Sequence, residues 1–380
     1  MTFMKILSRT ALVAVPLCFA AAPASAAETR GYVISWLATA TNVTDFKANC
    51  PQNKNGGRTE WTIRDLVAVG YTRKEAEDIV TNAPNSTELP ADITRKTDTR
   101  AVLANGQHVS IYNYPEAVTD PNIETVSGKF AYGFDLGGKT EANKFEDPDT
   151  HSKVDNQMWR AVGCTESFRA VPPVMPFPEE VAWNVMVDTS PAWSLMITGD
   201  DLSKDGKVTL TFDRVTQHLE RDSAGNVMSN ASYVIDGSPK SHNVLHGEIK
   251  DGMLTITPSN LYLQGEMPYY AEIAIRNAHM RITQQPEGKL LGYWGGYVNW
   301  MRFIYMYTAR PGNGSDSVGL YHAIKKLADA NPDPKTGQNQ EISTTFRMEA
   351  VPAYIATADG KVLGMASAGD VVAPAKVAGQ

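Results

Sequence analysis

An acidic segment in the first half of the chain carries side chains that suit a hard metal ion. Its oxygen-bearing residues include Asp135, Asp147, Asp149, Asp155 and Asn156. Ca²⁺ takes about six to eight oxygen ligands from carboxylates, amides and backbone carbonyls, and irregular loops supply them well. The spacing is not that of an EF-hand loop, and clusters of charge are more often solvated surface. The segment is therefore either a calcium site or a plain acidic loop.

An aromatic stretch over residues 290–307 is the second candidate for a site. Its predicted ligand-binding residues are Tyr293, Trp294, Tyr297, Trp300 and Arg302. Tyr and Trp rings stack on sugars and line small-molecule pockets, and an arginine can orient an anionic group. The same rings also pack hydrophobic cores. The stretch is therefore either a site for a glycan or hydrophobic small molecule, or a part of the core.

Other motifs with catalytic or metal-binding spacing are incomplete. His242 and His246 are four residues apart, but the sequence around them is not helical, as a zinc pair of this spacing requires. An EF-hand-like pattern that starts at Asp329 has Pro334 where the loop needs glycine. The chain has no nucleophile elbow, P-loop, dinucleotide fingerprint or haem-attachment motif. We therefore expect no haem and no nucleotide, and we assign no catalytic residue.

The beginning of the chain has the pattern of a secretory signal peptide. Lys5 and Arg9 precede an apolar run over residues 11–22, and small residues lead up to Ala26. This run is shorter than the roughly 20 apolar residues that a membrane-spanning helix needs. We predict cleavage after Ala26 and export of the mature chain, most simply to a periplasm.

The mature chain keeps two cysteines, Cys50 and Cys164. Two cysteines in an oxidising compartment most simply form a disulfide, and this one would close a loop of more than a hundred residues. The alternative is a thiol that binds metal or acts as a nucleophile. No C-x-x-C motif supports that alternative, so we predict the disulfide.

Charge and hydropathy exclude several classes of partner. The formal net charge of the full sequence is −7, and no basic cluster is interleaved with aromatic residues. Nucleic acids and anionic lipids both attract basic surfaces. We therefore expect no nucleic-acid partner, and no segment after the signal peptide is apolar enough to be predicted to span a membrane.

The periodicity of the chain predicts a mainly β fold. A first strand is expected over residues 31–40 and two short helices over 62–69 and 72–80, the second of which begins with a capping box of Thr72 and Glu75. Asn105-Gly106 predicts a β-hairpin, and the run at Val185–Val187 is expected to be a strand. Short strands then alternate with Asp-Gly and Gly-Asn turns up to residue 282. Such repeats are typical of antiparallel sandwiches. We predict an antiparallel β-sandwich or jelly-roll-like core with a few short helices and one disulfide.

A proline cluster over residues 172–178 is the best candidate for a domain border. It divides the mature chain into an N-terminal α+β region with the acidic loop, over residues 27–170, and a β-sandwich region with the aromatic stretch and a C-terminal helix, over residues 181–365. A flexible tail is expected over residues 366–380.

The preferred function from sequence is an exported periplasmic binding or accessory protein for a glycan or hydrophobic small molecule, with calcium as one source of stability. One alternative is a periplasmic hydrolase or lyase that uses carboxylates or a bound metal. Another is an envelope protein-interaction module. Because one fold can host any of these functions, the site has to distinguish them. Facing carboxylates in a cleft would favour the enzyme, and a large exposed apolar patch would favour the interaction module.

Overall fold

The computed structural model describes most of the chain after the first 26 residues. The described residues are 27–43, 45–83, 89–137, 144–172, 174–265, 272–307 and 316–365. The predicted signal peptide and the predicted tail both lie outside these ranges. Within them, no helix is long and apolar enough to cross a membrane.

The helices are short and lie mostly in the first half of the chain. They are α1 (Phe46–Asn49), α2 (Arg58–Ala68), α3 (Arg73–Asn82), α4 (Ala91–Asp98), α5 (Gln157–Val162), α6 (Phe177–Thr189), α7 (Trp300–Tyr307) and α8 (Ser317–Leu327). Helix α3 begins with the predicted capping box, in which Thr72 and Glu75 bond to each other's backbone N–H groups. This exchange satisfies donors that a helix start otherwise leaves without partners.

Strands make up most of the second half of the chain. In chain order they are β1 (Glu28–Thr39), β2 (Ala101–Val102), β3 (His108–Val109), β4 (Phe145–Glu146), β5 (Lys153–Val154), β6 (Trp193–Gly199), β7 (Gly206–Arg214), β8 (Ala231–Val234), β9 (Asn243–Lys250), β10 (Met253–Ile256), β11 (Ser259–Gln264), β12 (Glu272–Gln284), β13 (Leu290–Asn299), β14 (Ala330–Pro332), β15 (Asn339–Ala356) and β16 (Val362–Gly364). The predicted Asn-Gly hairpin is present as the β2–β3 pair, with strands of two residues each.

Eight antiparallel strands close into a barrel in the order β1, β6, β7, β9, β10, β12, β13 and β15. The barrel closes because β15 also pairs with β1, with Tyr32 opposite Pro352 and Thr39 opposite Phe346. Each barrel strand therefore neighbours the barrel strands that precede and follow it along the chain. The remaining strands of this sheet pair with two of the barrel strands: β8, β14 and β16 pair with β15, and β11 pairs with β12.

The predicted β-sandwich or jelly roll is therefore wrong, although the mainly β character is confirmed. Alternating strands with tight turns occur in sandwiches and in up-and-down barrels alike. The difference lies in the pairing of β1 with β15, which are the first and nearly the last strands of the chain. A long helical insertion separates β1 from β6, so local sequence patterns do not reveal that β1 belongs to the same sheet.

Side chains fill the inside of the barrel. Trp294 on β13 and Phe212 on β7 come from opposite walls, and their ring centroids lie 5.7 Å apart. Phe346 lies opposite Trp294 on the neighbouring strand and is also buried. An eight-stranded barrel is just wide enough for side chains to fill it. The middle of the barrel is therefore a packed core, and any site lies at its ends or outside it.

The insertion between β1 and β6 packs against the barrel and contains the predicted disulfide. Cys50 and Cys164 are bonded and both are buried. At the end of β1, the Thr41 hydroxyl donates a hydrogen bond to the Ala170 carbonyl at 2.8 Å. This bond and the disulfide fix the segment around residues 164–170 against the rest of the insertion.

One local prediction fails because a short apolar run does not reveal its period. The run at Val185–Val187, expected to be a strand, lies inside helix α6. The aromatic stretch divides into strand β13 and helix α7 at Trp300. Apolar runs of a few residues fit a strand and a buried helix equally well.

Candidate ligand-binding site

The acidic segment ties the insertion to the outer wall of the barrel. Asp147 is fully buried, and its Oδ2 accepts hydrogen bonds from Arg281 Nη2 at 2.7 Å and from the Gly133 backbone at 2.9 Å. Its Oδ1 accepts from the backbone N–H groups of Asp149 and Thr150. Both carboxylate oxygens are thus occupied by donors of the protein itself.

The other predicted metal ligands each bond to different groups of the protein nearby. Asp155 accepts from the Leu136 backbone at 3.0 Å, and Asn156 caps helix α5. Asp135 is exposed and pairs with Lys144 at 2.9 Å. Among the described residues, no three His, Cys, Asp or Glu side chains are grouped to hold a metal ion. Calcium binding by this segment stays a prediction.

The rings of the aromatic stretch point to opposite sides of the barrel wall. Trp294 points into the barrel core. Tyr293 points outward, between the Tyr132 ring at 4.7 Å and the Arg281 guanidinium at 4.6 Å. Arg281 also bonds Asp147, so the two segments singled out from the sequence meet at this arginine. Because Tyr132 stacks on it and Arg281 lies over it, the Tyr293 ring packs the structure instead of offering a platform for a sugar.

The remaining predicted ligand residues lie toward one end of the barrel. The Arg276 guanidinium stacks 4.8 Å from the Tyr297 ring, and Trp300 Nε1 donates to the Asn339 carbonyl at 2.8 Å. Arg302 forms an ion pair with Glu272. It lines a cavity of about 220 Å³, the barrel-mouth slot, whose other walls include Ile273, Val298, Phe303 and Phe346.

A larger cleft of about 570 Å³ lies in the insertion, beside the start of helix α6. We call it the α6 cleft, and define it by Asn55, Trp61, Thr165, Arg169, Val174 and Phe177, which are among its lining residues. Its volume falls within the range of about 300 to 1,000 Å³ that is typical of small-molecule sites. No residue of the α6 cleft was singled out from the sequence as a ligand-binding residue.

The disulfide joins two walls of the α6 cleft. The loop that follows Cys50 leads to Asn55, and the segment that follows Cys164 begins with Thr165. The Asn55 side-chain amide donates to the Cys164 carbonyl at 3.1 Å and to the Glu124 carbonyl at 2.8 Å. These bonds hold the two walls at a fixed distance, so the cleft is preformed.

One wall of the cleft is apolar and open to solvent. Val171 and Val174 are 65% and 61% exposed, and Phe177 is 43% exposed. All three line the cleft. Large apolar side chains that are grouped and exposed mark binding sites more often than scattered ones do. Residues of the proline-rich segment therefore form the apolar wall of a cleft, and the domain border expected there stays a prediction.

Thr165 and Arg169 each contribute a buried polar atom that has no hydrogen-bond partner among the described residues. Thr165 is only 6% exposed, yet its hydroxyl has no hydrogen-bond partner among the described residues. The Arg169 guanidinium lies 3.4 Å from the centroid of the Phe46 ring, and its buried Nε also lacks an acceptor in the described part of the chain. Burial lowers the pKa of Arg169 below its ordinary value. Buried polar groups usually have a partner, so this wall is suited to a ligand that supplies acceptors.

Three carboxylates also line the cleft, and they differ in their roles. Asp316 bonds Arg64 at 2.8 Å and caps helix α8 through the Gly319 backbone N–H. Glu166 and Glu180 are exposed. Asp316 is thus bound by groups of the protein itself, whereas the two glutamates bring exposed negative charge to a cleft whose lining also includes the cation Arg58.

An Asp–His pair on the barrel is the arrangement closest to catalytic machinery. His242 Nδ1 lies 2.7 Å from Oδ1 of the buried Asp213. Burial raises the pKa of Asp213 above its ordinary value, against the opposing hydrogen bond with His242. The Ser194 hydroxyl donates to the Asp213 carbonyl, and the Ser241 hydroxyl donates to Asp236. Neither of these serines is bonded to His242, so we assign no nucleophile to the pair.

The sequence carried only an indirect indication of the α6 cleft. Val171, Val174 and Phe177 are apolar residues in a proline-rich segment, where a solvated linker would carry polar ones. Arg169 and Thr165 cannot be recognised as ligand-binding residues from the sequence. They are candidates only because the described part of the fold leaves Arg169 Nε and the Thr165 hydroxyl without hydrogen-bond partners. Comparisons with protein-family models, with curated proteins and with solved structures find no significant match to this chain.

Proposed function

We propose that this protein is an exported binding protein that holds a small, largely apolar organic molecule in the α6 cleft. The observation that carries the proposal is the exposed apolar wall of Val171, Val174 and Phe177 in a cleft framed by a disulfide. Burying such side chains against a ligand gives about 25 cal/mol for each Å² of apolar surface removed from water. Because the disulfide already fixes the walls, little ordering entropy opposes binding.

Export and a periplasmic location belong to the same proposal. They are supported by the sequence pattern of residues 1–26 and by the disulfide, since disulfides persist mainly in oxidising compartments. Expression with and without residues 1–26 tests this part. The full chain should be recovered from the periplasmic fraction with its first 26 residues removed, and recovery of the uncleaved chain in the cytoplasmic fraction would contradict export.

Calcium stabilisation remains a separate proposal for the acidic segment. Asp135 and Asp149 keep exposed carboxylates, whereas Asp147 and Asp155 are held by backbone and arginine donors. A thermal melt in EDTA, followed by addition of Ca²⁺, tests it, because an ion that binds only the folded state raises the melting temperature. A rise that Asp149→Ala removes would support the proposal, and no rise would leave the segment with its structural role alone.

The binding proposal is tested with N-phenyl-1-naphthylamine, a neutral probe that fluoresces in apolar surroundings. The wild type should bind the probe, and Val174→Asp should weaken binding by roughly tenfold or more, since a carboxylate would have to lose water beside the ligand. The control is Val362→Asp. Val362 is 54% exposed, but it lies in β16, which pairs with β15 of the barrel, and it does not line the α6 cleft. Equal binding by the two variants would contradict the proposed site.

A further inference from the structure

We infer that the natural ligand of the α6 cleft is a monocarboxylate with an apolar tail, whose carboxylate is bound by Arg169 and Thr165. This inference rests on the proposed function, because it names the chemical class of the molecule that the cleft holds. The tail would lie along Val171, Val174 and Phe177, which line the same cleft.

Arg169 makes no direct ion pair among the described residues. Its guanidinium is stacked on Phe46, and the carboxylates of Glu166 and Glu124 act on it only through longer-range electrostatic attraction. Other arginines of the insertion are paired: Arg64 with Asp316 at 2.8 Å, and Arg100 with Asp65 at 2.7 Å. Stacking on a ring holds the guanidinium plane in place while its edge keeps its donors available. A planar group of this kind matches the geometry of a carboxylate.

Thr165 adds a hydroxyl to the lining of the same cleft. It directly follows Cys164, so the disulfide and the hydrogen bond from its backbone N–H to Val162 fix its position. Its hydroxyl is buried without a partner in the described part of the chain. A buried hydroxyl left without a hydrogen bond costs stability, and a ligand oxygen would remove that cost. Thr165 and Arg169 thus both favour an acceptor from the ligand.

The exposed carboxylates of the cleft limit the ligand to one negative charge. Glu166 and Glu180 line it with exposed side chains, and the cations among its described lining residues are Arg58 and Arg169. Glu166 also attracts Arg169 electrostatically. A second anionic group in the cleft would meet the like charge of these two glutamates. A dicarboxylate or an alkyl phosphate should therefore bind more weakly than a monocarboxylate of the same length.

Competition between matched ligands tests the inference with bound N-phenyl-1-naphthylamine as the reporter. Octanoate, 1-octanol and octanedioate share one chain length and differ in charge. Octanoate should displace the probe at a concentration roughly tenfold lower than either of the others, the factor that corresponds to about 1.4 kcal/mol. Equal displacement by octanoate and octanol in the wild type would overturn the inference while leaving the proposed function in place. Absence of probe binding would instead overturn the proposed function, and the inference with it.

Variants then locate the carboxylate. Arg169→Gln should lose the preference for octanoate over octanol, with both ligands measured against the variant's own probe affinity, and Thr165→Val should reduce that preference. The control is Arg95→Gln, because Arg95 is exposed on α4 and does not line the cleft. A preference that persists in Arg169→Gln would overturn the role of Arg169. The wild-type comparison does not depend on the folding of any variant.

Discussion

Cys50 and Cys164 join two chain segments that form separate walls of the α6 cleft. The bond spans a sequence separation of 114 residues. A crosslink over a loop of this size stabilises a fold by up to about 4.7 kcal/mol in the chain-entropy account. The same bond that stabilises the insertion therefore also sets the width of the proposed binding site.

Removal of this disulfide should weaken both stability and ligand binding. We expect the double variant Cys50→Ser, Cys164→Ser to melt at a lower temperature and to bind N-phenyl-1-naphthylamine less tightly, because the two walls are no longer held together. Melting followed by circular dichroism and a probe titration below the new melting temperature measure the two effects separately. Unchanged probe affinity in the folded double variant would show that the disulfide does not shape the site.

Glu179 should make the stability of the protein depend on pH. It is fully buried, and its Oε1 accepts hydrogen bonds from the Thr39 backbone at 2.8 Å and the Thr39 hydroxyl at 2.5 Å. Burial raises its pKa from 4.5 to about 7, against the opposing hydrogen bonds from Thr39. Since the folded state holds this proton more tightly, the stabilisation is fully present below pH 4.5 and is lost as the pH rises through about 7. The effect is on the order of 3 kcal/mol, since one pKa unit corresponds to about 1.4 kcal/mol.

The variant Glu179→Gln separates this group from other sources of pH dependence. Urea unfolding at several pH values should show that the variant loses less stability than the wild type between pH 5 and about 8. Glu180→Gln is the matched control, because Glu180 is the next residue of α6 and is exposed. The same pH profile in both variants and the wild type would refute the assignment.

The ion pair between Asp147 and Arg281 should be essential for attachment of the acidic segment to the barrel. Asp147→Ala leaves a buried arginine without its principal partner, which typically costs about 3–5 kcal/mol. Asp149→Ala should change stability by less than about 0.5 kcal/mol, because Asp149 is exposed and lies 3.8 Å from Arg281. Urea unfolding of the two variants measures the difference, and similar losses in both would contradict the contrast.

Arg302 allows the α6 cleft to be distinguished from the barrel-mouth slot. It lines the slot and pairs with Glu272, and it does not line the cleft. We therefore expect Arg302→Ala to bind N-phenyl-1-naphthylamine with the affinity of the wild type. A marked loss of affinity in this variant would move the proposed site to the mouth of the barrel.

Local patterns predicted local structure well in this chain. The capping box of Thr72 and Glu75 and the disulfide between Cys50 and Cys164 are both confirmed. The barrel was not predicted, because its closure depends on the pairing of Thr39 with Phe346 and its neighbours across nearly the whole chain. The sequence also could not show that Tyr293 and Trp294 would face opposite sides of one wall, because a strand and a helix both fit that aromatic stretch.

The α6 cleft was missed for a related reason. Its walls come from residues near Asn55, from the segment after Cys164 and from the start of α6. Arg169 is notable only because the fold stacks it on Phe46 and leaves its Nε without an acceptor among the described residues. A sequence records which charges are present but not which of them remain unpaired after folding.

A crystal structure of the protein with 8-bromooctanoate would locate the bound ligand. We expect anomalous scattering from bromine against Val174 and Phe177, with the carboxylate within hydrogen-bond distance of Arg169. Bromine located beside Phe346 in the barrel-mouth slot, or no bound ligand at a concentration that displaces the fluorescent probe, would contradict the claim that the α6 cleft is the binding site.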